Sequence, residues 1–126
     1  MAPKRVLVID DEELIQEVIQ ASLEDIVGWE VLLASSGTEG LTVAASQSPD
    51  VILLDVSMPI MDGIQTFKKL QDDSATQTIP VIFLTAKVQP SDKAIFSQLG
   101  VVGVIAKPFD PMTLNKEVSE ILGWKS

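Results

Sequence analysis

A chain of 126 residues and 13.6 kDa, 46% hydrophobic and 21% charged, has enough apolar mass for one stable core. At a mean hydropathy of +0.30 it is too apolar to remain disordered. Nine cationic and 18 acidic side chains leave a net charge of −9, which disfavours direct nucleic-acid binding and attachment to an anionic membrane, since both need clustered cations.

Cysteine and histidine are both absent from the sequence. Thiol chemistry, disulfides, zinc sites built on Cys or His, and Ser-His-Asp catalysis are thereby excluded. Any metal must be held by oxygen, which suits Mg2+, Mn2+ or Ca2+. No apolar run approaches the ~20 residues of a bilayer span. Met1-Ala2-Pro3-Lys4-Arg5 leads straight into a strand-like run rather than a leader's apolar stretch, so the expected location is the cytoplasm.

In chain order, Val6–Ile9 is the first of several short, β-branched-rich apolar runs, and Asp10-Asp11 follows it. Leu14, Ile15, Val18, Ile19 and Leu23 form one helical stripe, which Gly28 should close. Trp29–Leu33 is the second run and ends in Ala34 and Ser35, with no charged group. Ser36-Gly37 opens a helix carrying Leu41, Ala44 and Ala45. Val51–Leu54 ends in Asp55, and Asp62-Gly63 then opens a helix carrying Ile64, Phe67 and Leu70. Val81–Leu84 ends in Thr85, and Pro90-Ser91-Asp92 precedes a helix marked by Ala94, Ile95 and Leu99 and closed by Gly100. Val101–Ala106 ends in Lys107. Asp110-Pro111, a cap followed by proline, should start the last helix, with Leu114, Val118, Ile121 and Leu122 on its stripe and Gly123 past its end.

Runs that are apolar throughout are strands buried on both faces, and their strict alternation with helices predicts a parallel sheet covered on both sides. The expected class is α/β, a flavodoxin-like doubly wound (βα)5 fold. Its five-stranded parallel sheet should run in the order 2-1-3-4-5, as one domain over residues 1–126. Such folds bind ligands beyond the carboxyl ends of their strands. Asp10, Asp11, Asp55, Thr85 and Lys107 all fall there. Singly, either early aspartate reads as a helix cap, Asp55 as a turn residue, Thr85 as a cap and Lys107 as a solvated lysine. Together they read as a site: clustered carboxylates repel unless a cation joins them, and Lys107 or a divalent metal can do so.

These residues resemble the receiver domain of two-component response regulators. The resemblance rests on Val8-Ile9-Asp10-Asp11-Glu12, Leu53-Leu54-Asp55-Val56-Ser57-Met58-Pro59-Ile60-Met61-Asp62-Gly63, Phe83-Leu84-Thr85-Ala86 and Ile105-Ala106-Lys107-Pro108-Phe109, and covers residues 4 to 124. It implies a regulatory phosphoacceptor rather than an enzyme acting on other substrates. Asp55 would accept a phosphoryl group, with Thr85 and Lys107 bonding its oxygens. Mg2+, with Mn2+ able to substitute, would be held by Asp10, Asp11, Asp55 and the Ser57 carbonyl. The Lys107-Pro108 bond would be cis. The implied partners are a sensor histidine kinase or phosphotransfer protein and a downstream protein target, with no direct nucleic acid and no membrane. A homodimer through the face of the fourth helix, fifth strand and fifth helix is also possible in this family.

The chain departs from the family at Val104, where many receivers carry an aromatic that reports activation, and it has no tyrosine at all. Ser57 and Lys87 stand where the family tunes phosphoryl lifetime; Lys87 reads first as a solvent-exposed lysine and alternatively as a group that alters that lifetime. A haloacid-dehalogenase-like phosphatase is disfavoured because Asp55-Val56-Ser57 lacks a second aspartate. A flavin-binding flavodoxin is disfavoured because no Ser/Thr/Gly-rich loop follows the first strand. A degenerate docking module would lack the intact acid pair. Trp29 and Trp124 read as partial core with one wet edge, Phe96 as core with a partner surface as the alternative, and Glu12, Glu13 and Glu17 as a solvated face.

Overall fold

The apolar runs pair as strands and the periodic segments coil as helices, in the order β1 (Arg5–Ile9), α1 (Glu13–Val27), β2 (Glu30–Ala34), α2 (Gly37–Gln47), β3 (Val51–Asp55), α3 (Gly63–Asp72), β4 (Val81–Thr85), α4 (Pro90–Leu99), β5 (Gly103–Ala106) and α5 (Leu114–Leu122). This is a computed structural model describing residues 3–124. Met1 and Ala2, where no leader-like stretch is read, lie outside the described residues, as do Lys125 and Ser126. The sheet is parallel throughout and ordered β2-β1-β3-β4-β5, as expected.

Side chains alternate across a strand, so each run feeds two cores. Leu7, Ile9, Ile52, Leu54, Val81 and Phe83 meet Ala44, Phe67, Leu70 and Phe96 from α2, α3 and α4. Val6, Val8, Val51, Leu53, Ile82, Leu84 and Ile105 meet Ile19, Leu23, Leu114 and Val118 from α1 and α5. At the amino ends of the strands, Trp29 and Trp124 meet edge to face with centroids 5.4 Å apart, and the Lys4 ammonium lies 4.6 Å from the Trp124 ring.

The helix signals mostly hold. Ser36 accepts from the Glu39 N–H at 3.1 Å, and Asp62 and Gln65 cap each other reciprocally. Gly28, Gly100 and Gly123 close α1, α4 and α5 in the left-handed conformation.

Four details differ from expectation. Leu14 is 69% exposed, because α1 turns Gln16 inward instead, where its amide finds three acceptors. Ala94 and Ile95 face solvent and Phe96 takes the inward place on α4, as a ring buries more area than either. The fifth run pairs only from Gly103, although Val101 is buried ahead of it. Asp110 does not cap α5: its carboxylate accepts from the Met112 N–H at 2.9 Å and closes a turn, so the helix starts at Leu114.

Ile60, between β3 and α3, has φ +68° and a fully exposed side chain. A β-branched residue is strained there, and nothing is buried in return. Ile60→Asn should therefore raise stability by about 1 kcal/mol, read by urea unfolding; a loss would show that the loop needs the isoleucine.

Candidate functional site

Strand register assembles the expected residues. Ile9 lies beside Leu54, so Asp10 and Asp55 leave neighbouring strands side by side. Thr85 pairs with Ala106, which puts Lys107 at the next strand end. Carboxylate oxygens of Asp10, Asp11 and Asp55 all lie within 4.8 Å of one another. Asp10 and Asp55 are buried and Asp11 is exposed.

Lys107 bridges the two buried acids. Its Nζ is 2.9 Å from Asp10 Oδ2 and 3.2 Å from Asp55 Oδ1. The other Asp10 oxygen accepts from the Glu12 N–H at 2.9 Å, and Asp55 Oδ1 accepts from the Ser57 N–H at 3.3 Å. Thr85 is buried, and its Oγ1 accepts from the Lys87 N–H at 2.9 Å rather than capping α4, which begins at Pro90. Lys87 itself is exposed. The Lys107-Pro108 bond is cis.

Burial pushes the Asp55 carboxyl up to about 6, helped by the Asp10 charge, and Lys107 only partly offsets this. The Lys107 ammonium is raised above its ordinary 10.5, because Asp10 and Asp55 outweigh the burial that opposes its charge. The two shifts act on stability in opposite senses. The Asp55 cost is absent below 3.8, grows as pH rises to about 6 and is complete above it. The Lys107 contribution is present at neutral pH and is lost only as pH climbs through its raised value, beyond 10.5. Metal-free Asp55→Asn should thus be more stable than wild type by about 1–3 kcal/mol at neutral pH. The gap should close on acidification toward 3.8 and on adding Mg2+, both read by thermal unfolding. A pH-independent gap would mean that Asp55 is not the group responsible.

Two residues position the site in ways the sequence reading does not assign to them. Gln16 Nε2 donates to the carbonyls of Asp10 at 2.6 Å and Ala34 at 3.3 Å and to Ser35 Oγ at 3.0 Å, tying α1 to the ends of β1 and β2. The legible signal was an amide within an apolar stripe. Gly63, the first residue of α3, lies against the end of β3, where a Cβ would come within 2.7 Å of the Val56 Cα and collide with the Asp55 carbonyl oxygen.

The donor set is all oxygen, converges at one strand end and carries excess negative charge, which fits a hard divalent cation such as Mg2+. The acid triad and the lysine stand at the carboxyl edge of the doubly wound sheet, the edge at which such folds bind their ligands.

Known proteins agree. The family model of the response regulator receiver domain matches residues 6–119. The alkaline phosphatase synthesis transcriptional regulatory protein PhoP of Bacillus subtilis is 40% identical over 119 residues, covering 94% of this chain and 48% of PhoP. Protein PilH of Pseudomonas aeruginosa is 36% identical over 118 residues, covering 94% of this chain and 97% of PilH. The structure of the Vibrio cholerae chemotaxis protein CheY4 superposes with a TM-score of 0.88 at 34% identity, covering 95% of this chain and 99% of that one. The chain belongs to the response regulator receiver domain family. It is a phosphorylation-dependent switch of two-component signalling, a regulatory domain and not a classical enzyme. It spans about half the length of PhoP. Among the described residues, no helix is long and apolar enough to cross a membrane.

Proposed function

We propose that Asp55 is the phosphoacceptor of this switch. A carboxylate oxygen attacks the phosphorus of a partner's phosphohistidine. The O–P bond forms, the P–N bond breaks, and the imidazole leaves with the electron pair and takes up a proton. A small acyl phosphate serves the same attack, with a carboxylate as leaving group. Asp10, Asp11, Asp55 and the Ser57 carbonyl would hold Mg2+, which, when bound, neutralises charge on the transferring oxygens.

Lys107, already lodged between the acids, pairs with a phosphoryl oxygen once Asp55 is esterified. Thr85 bonds another with its hydroxyl. The domain thus promotes its own phosphorylation and the later hydrolysis, and Lys87, exposed beside Thr85, bears on the hydrolysis rate. The donor is a sensor histidine kinase or phosphotransfer protein in the cytoplasm. The phosphorylated state changes affinity for a downstream protein, or for a second copy, at the α4–β5–α5 face.

The observation that carries this reading is the convergence of Asp10, Asp11 and Asp55 around a lysine that touches two of them. Incubation with acetyl phosphate should add the mass of a single phosphoryl group when Mg2+ is present, and none with chelator or in Asp55→Asn. Wild-type protein that gains no mass, from acetyl phosphate or from a phosphorylated histidine phosphotransfer protein, would leave only a docking module.

A further inference from the structure

How each helix is held singles out the one able to respond to a charge at Asp55. α1 buries Gln16, Ile19, Ser22 and Leu23; α2 buries Gly37, Gly40 and Ala44; α3 buries Gly63, Thr66, Phe67 and Leu70; α5 buries Leu114, Asn115, Val118 and Ser119. Among the described residues of α4, Phe96 alone is buried. Its outer side leaves Ile95 exposed. Elements with few buried contacts open at low free energy, and moving parts are drawn from them.

That buried ring leads directly to the site. The Phe96 ring meets Phe83 edge to face, with centroids 5.1 Å apart at 89°. Phe83 is fully buried on β4, two residues before Thr85. On its other side it meets Phe67 of α3 at 5.9 Å and 80°. Val104 is the register partner of Phe83 on β5 and packs against the same cluster. So the aromatic that stands on Phe83 comes from α4 itself and not from position 104. The second tie between β4 and α4 is at the connecting loop, where Thr85 Oγ1 accepts the Lys87 N–H. α4 is therefore tied to β4 by a hydroxyl at its leading loop and a ring at its middle, and half-buried Leu99 packs on the same cluster near its end.

Resting on the assignment of Asp55 and Thr85 above, we propose that Phe96 is the positioning residue that couples the phosphoryl state of Asp55 to the placement of α4, through its contact with Phe83. When the Thr85 hydroxyl turns to the phosphoryl group, the Lys87 N–H loses its acceptor. The leading loop is then free, and the Phe96–Phe83 contact sets where α4 comes to rest. Phe96 touches no reacting atom, so the rate of phosphoryl uptake does not depend on it.

The test is hydrogen exchange of the α4 amides in the full chain, with and without acetyl phosphate and Mg2+, the phosphorylated fraction being read by intact mass. Wild type should change α4 exchange by about threefold or more on phosphorylation. Phe96→Leu should take up the phosphoryl group at the wild-type rate while that ratio falls toward unity, and Phe96→Tyr, which keeps a ring, should restore it. Val104→Ala should keep the ratio. A merely structural role would speed exchange by the same factor in both states and leave the ratio of Phe96→Leu intact, which overturns the proposal. An unchanged α4 in phosphorylated wild type, or a ratio lost in Val104→Ala, also overturns it. The Val104→Ala and Phe96→Tyr results decide the matter if Phe96→Leu does not fold. Absence of phosphoryl uptake in wild type is a different failure, that of the Asp55 assignment, and removes both.

Discussion

Lys107→Met should cost the metal-free protein about 3–5 kcal/mol at neutral pH, the penalty for stripping a buried charge of its partner. Methionine keeps the length of the lysine stem, so the loss isolates the ammonium. Two buried carboxylates, Asp10 and Asp55, then face each other with no cation between them. Acid should recover part of the loss, because Asp55 already holds its proton up to about pH 6 beside the lysine. Mg2+ should recover more. Phosphoryl uptake from acetyl phosphate should still fall about 100- to 1000-fold even with Mg2+ saturating, as for removal of a fixed donor from a transition-state oxyanion. Urea unfolding and intact-mass time courses read the two effects separately. A stability loss below about 1 kcal/mol would mean that water, not the lysine, screens the pair.

The second large effect is expected at a residue with no side chain. In Gly63→Ala the new methyl meets the backbone of Asp55 and Val56, with the Val56 Cα 2.7 Å away, and neither can swing aside. Either the first turn of α3 retreats or the end of β3 shifts, at about 2–3 kcal/mol. A displacement of even ~1 Å in the attacking carboxylate can cost about 100-fold in rate, so uptake should fall more steeply than stability. Gly37→Ala is the control. Its methyl would crowd side chains rather than backbone, the buried Thr66 hydroxyl and the Met61 sulfur, and Gly37 lies outside the acid cluster. Equal effects in both variants would show that crowding, not the placement of Asp55, is responsible.

These two residues mark the limits of what the chain reveals before it folds. The sheet order follows from apolar runs and strict alternation, and the positions of Asp10, Asp11, Asp55, Thr85 and Lys107 follow from the rule that strand ends carry the chemistry. Lys107 was legible as a cation able to join the acids, whereas which two it reaches, Asp10 and Asp55, depends on side-chain reach that no spacing encodes. Gly63 read as a helix start, and its second task, making room for the end of β3, is a contact between elements. Leu14 was read on the inward stripe because apolar periodicity counts only apolar residues, while the inward place went to the Gln16 amide with three acceptors waiting. Ile95 lost its place to Phe96 for a related reason: adjacent residues on a short helix compete for one inward direction, and the partner ring of Phe83 decides between them.

The tryptophan pair has a practical meaning for anyone who watches this protein in a cuvette. Trp29 and Trp124 are the only indoles in the chain, and they face each other at the amino ends of the strands, the full length of the sheet away from Asp55. Val56 and Ser57, not an indole, follow Asp55. Emission from this pair records whether the last helix is docked beside the first strands, and so whether the molecule is whole. It is blind to the event at the opposite rim. A titration with Mg2+ or acetyl phosphate that leaves the fluorescence flat therefore shows only that the fold stays intact, and signalling must be followed by mass, exchange or a probe placed on α4.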